Sequence, residues 1–424
     1  MISWGMLQFL LTHQAFRYLW LGQIFSQLAM NMMIFTLALV VYRQTGSNTA
    51  VSGLFLAFGV PALLFGMVAG TVVDRLDRRM VLILCDVTRA LLVLFLFFFL
   101  KNLVFVYILV FINALINQFY VPAEAPTIPK LVPREQLVRA NSLFSFTYYS
   151  SMAIGFMLAG PMLKLLGAHN TVLSLSGLFL AASVMVANIP RQGDGLASIL
   201  RVRGYQPWAL AGKIWQEVSK GLGYIFSVPA LSDAIILLTG TQVIIALLAV
   251  LAPGFADRVL VIDLRDASLV IVGPAVVGII LGALWVGNQG YRIGPARLIK
   301  TGIMAAGVLL LLIAASVPLT RIPWWSWLYA KHIIVPVEVT LFFLLGVANS
   351  FLDVPANSTL QEKATGSMRG RVYGMLTTAV GGVGMLPVVL GGILADTFGV
   401  AKVIGLLGLL VLGYGTWRMR YNKA

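Results

Sequence analysis

Charge is scarce in this sequence. Asp, Glu, Lys and Arg make up 11% of the 424 residues, against about 25% in a soluble globular domain. Hydrophobic residues make up 59% and the mean hydropathy is +0.93, which excludes a soluble fold and marks a polytopic membrane protein. Cysteine is nearly absent. The single Cys85 lies in an apolar segment, so no intramolecular disulfide can form and the redox compartment stays open. Histidine is limited to His13, His169 and His332, far apart in the chain. With no metal-ligand spacing and no nucleophile elbow, a membrane enzyme is disfavoured and no metal site is expected. The phosphate-loop pattern G-x-x-x-x-G-K-[ST] is missing as well, which excludes ATP hydrolysis through that motif and leaves no cofactor expected. No cleavable signal precedes the first apolar run.

What is present is a succession of long apolar runs. A hydrocarbon core of ~30 Å needs about 20 helical residues. Twelve runs of that length can be marked: 17–41, 50–71, 80–100, 103–125, 139–166, 171–189, 231–252, 267–288, 298–317, 333–356, 371–396 and 401–418. Their length predicts helices, because barrel strands would need about ten alternating residues. Residues 1–16 read as a short interfacial helix, because their apolar run WGMLQFLL is too short to span. With the N-terminus inside, 21 of the 30 Lys and Arg fall on the cytoplasmic side, eight fall outside, and Arg89 lies within a span. That bias predicts both termini cytoplasmic and an even number of spans. The formal net charge of +15 could indicate nucleic acid. Its scatter in short clusters between spans instead fits loops over anionic lipid.

The longest inside loop, 190–229, divides the chain into 1–189 and 230–424. It contains WALAGKIWQEVSKGLGYIF, which reads as an amphipathic helix on the membrane surface. An internal repeat supports two halves. FINALINQFYVPAEAP, from Phe111, is similar to FLLGVANSFLDVPANS, from Phe343. Arg139, Gly160 and Gly167 match Arg371, Gly392 and Gly399 at one common offset of 232 residues. Two similar six-helix halves imply a pseudo-two-fold structure with a site between them.

The stretch GTVVDRLDRRMVLILCD puts five charges into the six residues Asp74 to Arg79. Gly70, Asp74, Arg75, Arg78 and Arg79 match G-x-x-x-D-R-x-G-R-R, the loop motif between the second and third helices of the major facilitator superfamily; Asp77 stands where the motif usually has Gly. LWLGQIFSQL in the first span, VYRQTGS after it, and the run PTIPKLVPREQLVRANS from Pro126 to Ser142 resemble that superfamily's bacterial drug and siderophore exporters, the branch of macrolide efflux and enterobactin export proteins. The resemblance covers nearly the whole chain and is strongest over 17–167. It implies an all-α integral membrane fold of twelve helices in two pseudo-symmetric six-helix halves. It also implies a bacterial inner-membrane location, a monomer and a small-molecule substrate. Physically, Gly70 allows a close helix approach, Asp74 suits a helix N-terminus or an Arg partner, and the arginines reach carboxylates or lipid phosphate. Such contacts would latch an inside gate.

Ionisable groups inside spans are costly and become functional candidates. Asp86 and Arg89, three apart on one helical face, are expected to pair. Glu124 and Asp353, near inner span ends, and Asp233, which opens the seventh span, are expected to make interfacial or gate contacts. Asp396, at the outer end of the eleventh span, is expected to be solvated. Glu338 shares the tenth span with no cation, which suits a proton carrier, and Asp353 is the second candidate. Gln23, Gln27 and Asn31 recur every four residues as one polar stripe. With Asn113, Asn117, Gln242 and Asn349 they are the expected pathway lining. Gly155 to Pro161 resembles the antiporter motif G-x-x-x-G-P-x-x-G-G with one extra residue, and Gly160-Pro161 is the expected kink. Relatives carry Asp near Asn31 and an Arg in the fourth helix; neither occurs here.

The expected function is secondary active export of small amphipathic molecules, drug-like compounds or siderophores, by alternating access, with protons as the coupling ion and lipids as surroundings. The alternatives are a lipid or other metabolite transporter of the same fold, a membrane enzyme, or a non-transporting receptor or scaffold.

Overall fold

Hydrocarbon offers backbone amides no partner, so an apolar chain must satisfy them internally. The computed structural model describes residues 9–73, 76–191, 227–319, 331–364 and 378–421, with positions 223, 225, 372 and 374–376. Among the described residues every regular element is helical. The long helices are α1 (Gln14–Thr45), α2 (Asn48–Val73), α3 (Arg78–Phe99), α4 (Leu103–Glu124) and α5 (Leu137–Ala187). They continue as α6 (Pro229–Phe255), α7 (Gly273–Ile293), α8 (Pro295–Leu319), α9 (Lys331–Lys363), α10 (Met385–Phe398) and α11 (Val400–Tyr421). Eleven helical runs among the described residues are long and apolar enough to cross a membrane.

The 51-residue α5 would reach about 76 Å as a straight helix at 1.5 Å per residue, more than twice the hydrocarbon thickness. It is not straight. Gly167 has φ 74 and ψ 171 and separates the arms 137–166 and 168–187. Gly399, its partner in the repeat, ends α10 with φ 98 and ψ 144. Only glycine adopts this backbone without strain, so two positions 232 residues apart use the same turn. The sequence reading places the start of the eighth span at 267. In the structure, Ser268–Val272 form a wide π turn before α7 begins. Most of the 190–229 loop, with its predicted amphipathic helix, lies outside the described residues, as does the start of the eleventh span.

Backbone contacts divide the chain into two compact units. The first comprises Met1–Leu37 and Ala57–Ile214, the second Ala38–Leu56 and Trp215–Ala424. The first is centred on Phe16, Leu19, Leu82, Tyr120, Phe144 and Val186, with Phe16 and Phe144 rings 5.5 Å apart. In the second, Leu231, Leu238, Ile303, Leu352 and Leu360 form a core. Lipid tails are as apolar as leucine, so helices in a membrane associate through close packing at small residues rather than through burial from water. The α7–α9 crossing shows this directly. A Cβ on Gly278 would run into the Phe343 carbonyl, one on Gly282 into Ser350, and one on Gly346 into the Ala275 carbonyl.

Because backbone cannot yield as a side-chain tip can, Gly346→Val should lower the thermal midpoint in detergent, at a cost of about 1–3 kcal/mol or more. Gly413→Ala, where the added methyl meets open space, should leave the midpoint unchanged or raise it. Equal midpoints for both variants would show that the crossing is not the tight contact described.

Candidate functional site

The structure builds a buried polar cluster on α3. Asp77 starts that helix as N-cap, its carboxylate accepting from the Met80 amide at 3.3 Å, and so gives a local reason for Asp at the position where the motif resembled above has Gly. Val81, Leu82, Cys85, Asp86, Arg89, Ala90, Val93 and Leu96 then form the buried face. Their spacing is that of an ordinary apolar stripe, yet it contains an acid and a base. Arg89 lies 3.3 Å from Asp86, with both side chains essentially unexposed.

Neighbouring helices complete the cluster. Ser26 of α1 donates to Asp86 at 2.8 Å and accepts from Arg89 at 3.1 Å. Asn117 of α4 accepts from the other guanidinium nitrogen at 2.7 Å. The Arg89 guanidinium carbon sits 4.6 Å from the Tyr120 ring centre and 5.8 Å from that of Phe179. A cation sandwiched between ring faces gains roughly 0.5–2 kcal/mol per contact. Glu124, one turn beyond Tyr120, is buried and lies within hydrogen-bonding reach of the Tyr120 hydroxyl, which also neighbours Ser26. Ser26, Tyr120 and Phe179 are the cluster members that sequence reasoning missed. Ser26 was within reach of it, three residues after Gln23 on the same stripe.

Of the loop motif, Gly70 lies within α2, while Asp74 and Arg75 lie outside the described residues. Arg78 donates to the Pro126 carbonyl at 3.3 Å and Arg79 to the Ala187 carbonyl, both within the first unit.

The expected pathway residues have different surroundings. Gln23 is buried and reaches the Phe144 carbonyl at 3.4 Å; Gln27 is buried; Asn31 turns back to the Gln27 carbonyl at 2.8 Å. Asn113 is buried beside a small apolar pocket with Met33, Leu92 and Val110, and its amide has no partner among the described residues. Asn117 is taken up by Arg89. Gln242 is exposed and Asn349 half-buried. Gly160 is buried and Pro161 lies inside the first arm of α5.

In the second unit Glu338 of α9 is 0% exposed, with the Ser316 hydroxyl of α8 as its polar neighbour. The Ser316 hydroxyl of α8 is committed to the Ile313 carbonyl at 2.7 Å. Asp353 is half-buried and accepts from Asn357 at 3.1 Å, leaving its other oxygen unpartnered. Asp233 is paired with Arg418 of α11. Asp396 corrects the sequence reading. Half-buried rather than left to water, it accepts five hydrogen bonds from Ser47, Asn48 and Thr49. No group of His, Cys, Asp and Glu among the described residues could hold a metal ion.

A helical membrane fold with buried charge in both units defines a class of multi-pass membrane proteins, and the comparisons narrow it. The family described as Major Facilitator Superfamily matches residues 19–388. The chain belongs to that superfamily and is a transporter rather than an enzyme. It is similar to the multidrug efflux pump Tap of Mycolicibacterium fortuitum, 25% identical over 389 residues, 89% of this chain and 88% of that one. It is also similar to macrolide efflux protein A of Streptococcus pyogenes, 24% identical over 412 residues, 93% and 92% of the two chains. The crystal structure of the nucleoside transporter NupG shares the fold, with a TM-score of 0.70 at 14% identity over 97% of this chain and 99% of that one.

Removing one member of a buried ion pair strands the other at a cost of about 3–5 kcal/mol, whereas replacing both with neutral groups of similar size costs far less. Arg89→Gln alone should therefore sharply reduce stability in detergent. Asp86→Asn combined with Arg89→Gln should recover most of it. A double variant no better than the single would show that the two charges are not coupled.

Proposed function

We propose that this transporter exports small amphipathic molecules, drug-like compounds or siderophores, by alternating access, in exchange for protons. In this reading twelve spans, counting both arms of α5, form six-helix halves at 1–189 and 230–424 joined by the 190–229 segment. Both termini are cytoplasmic, and the chain acts as a monomer in the bacterial inner membrane. The efflux roles of the similar multidrug efflux pump Tap and macrolide efflux protein A support the direction of transport and the class of substrate.

The observation that carries the coupling is Glu338. Ionising a carboxyl there would bury a charge with no cation paired to it among the described residues and only the Ser316 hydroxyl beside it. A group that holds its proton while enclosed and releases it when water reaches it does the work of a carrier. Asp353, about four helical turns further along the same α9, supplies a second carboxyl with one free oxygen. Asp74 in the loop motif is the proposed inside latch, with Gly70, Arg75, Arg78 and Arg79 around it.

Purified protein in proteoliposomes, given a proton gradient and a panel of dyes, macrolides and siderophores, should move at least one compound, and an uncoupler should abolish that movement. Glu338→Gln should lose gradient-driven movement while retaining exchange of labelled for unlabelled substrate. Full gradient-driven transport by this variant would remove Glu338 from the mechanism. Movement indifferent to protons would remove proton coupling altogether.

A further inference from the structure

The five hydrogen bonds on Asp396 join segments almost 350 residues apart. The carboxylate of α10 accepts from the Ser47 hydroxyl at 2.6 Å, the Asn48 amide at 2.9 Å and its side chain at 3.0 Å, and the Thr49 amide at 2.9 Å and hydroxyl at 2.8 Å. Asn48 and Thr49 are the first residues of α2, whose leading amides have no partner inside the helix. A carboxylate placed there satisfies those donors and lies at the positive end of the helix dipole. Asp396 is thus an N-cap supplied from another helix.

The surroundings are shaped for this contact. Asn48 is fully buried. A Cβ on Gly254 of α6 would collide with the Asn48 side chain, and one on Gly392 of α10 would press on the Asn48 carbonyl and Ser52 at 2.8 Å. Two glycines therefore make room for the first turn of α2. Arg258 adds a hydrogen bond to the Gly46 carbonyl and lies 3.9 Å from Asp396. Beside it, Tyr42 donates to Asp257 at 3.3 Å. Through these contacts residues 38–56 belong to the second unit, while the chain on either side of them, in the same helices α1 and α2, belongs to the first.

We propose that Asp396 is a gating residue: its carboxylate clasps the start of α2 to α10, and the protein opens at this end only when that clasp is released. The proposal rests on the alternating-access reading above. It places the clasp at the end of α2 opposite to the charged loop motif, so the two ends of one helix carry separate fastenings. Asp396 acts through the backbone and hydroxyls of the 47–49 turn and needs no contact with substrate.

The test uses the full-length protein in lipid nanodiscs, with Cys85→Ala removing the native thiol and spin labels placed on Arg43→Cys and Thr397→Cys, both exposed positions. With Asp396 present, the distance distribution should be dominated by one short separation. Asp396→Asn and Asp396→Ala should add a longer population, and Asp396→Glu should suppress it again. Should the Asp396 variants fail to fold, Ser47→Ala with Thr49→Val removes two hydroxyl donors while leaving the carboxylate, and should lengthen the distances by the same route. Unchanged distances in a folded variant would overturn the clasp, whatever transport does. Lengthened distances in the variants would uphold the clasp even if the labelled parent moved no solute in proteoliposomes, and in that case only the transport reading would fall.

Discussion

The structure depends on one constraint: hydrocarbon accepts and donates no hydrogen bonds. Each polar group carried into it must find a partner in the protein or remain costly. The first consequence is the helical backbone. The second is the way the few buried charges are treated. Arg89 is surrounded by Asp86, Ser26, Asn117 and two ring faces, so that its charge is spread over groups from α1, α3 and α4 and from α5 beyond Gly167. Glu338 has no cation paired to it among the described residues, only the Ser316 hydroxyl. One charge is thus built into the packing of several helices, while the other carboxyl is enclosed with far less around it, the difference on which the proposed coupling rests.

Helix positions were largely legible in the sequence, because length and apolarity decide what can span. The expected 103–125 and the observed Leu103–Glu124 differ by one residue. Where the match loosens, local chemistry intervenes. α7 starts late because Ser268–Val272 wind as a π turn, and hydropathy is blind to the winding of an apolar segment. The offset of 232 residues carried more than similarity of side chains, since Gly167 and Gly399 share a backbone conformation. The Asp86–Arg89 spacing was readable because i and i+3 face the same way on any helix.

The rest of the site was not legible, for a physical reason. Nothing local marks Asp396 as a cap for α2, because its donors lie 347 to 349 residues away, and capping rules read only a few residues at a time. An acid at a span end looks the same in the sequence whether water or a distant helix satisfies it. Tyr120 and Phe179 likewise read as ordinary apolar wall, and only the fold turns their faces to Arg89. Conversely, Gln23 and Asn31 make a clean polar stripe in the sequence but spend hydrogen bonds on the Phe144 and Gln27 carbonyls.

α2 has 26 residues, about 39 Å at 1.5 Å per residue. Held at its first turn, such a rod is a lever. Tilting it by about 10° about the held end would carry the far end through about 7 Å, roughly one helical turn and more. The far end runs into the most densely charged loop of the chain. Leverage of this kind would turn a fastening a few hydrogen bonds wide into a displacement of several ångströms at the far end of the helix.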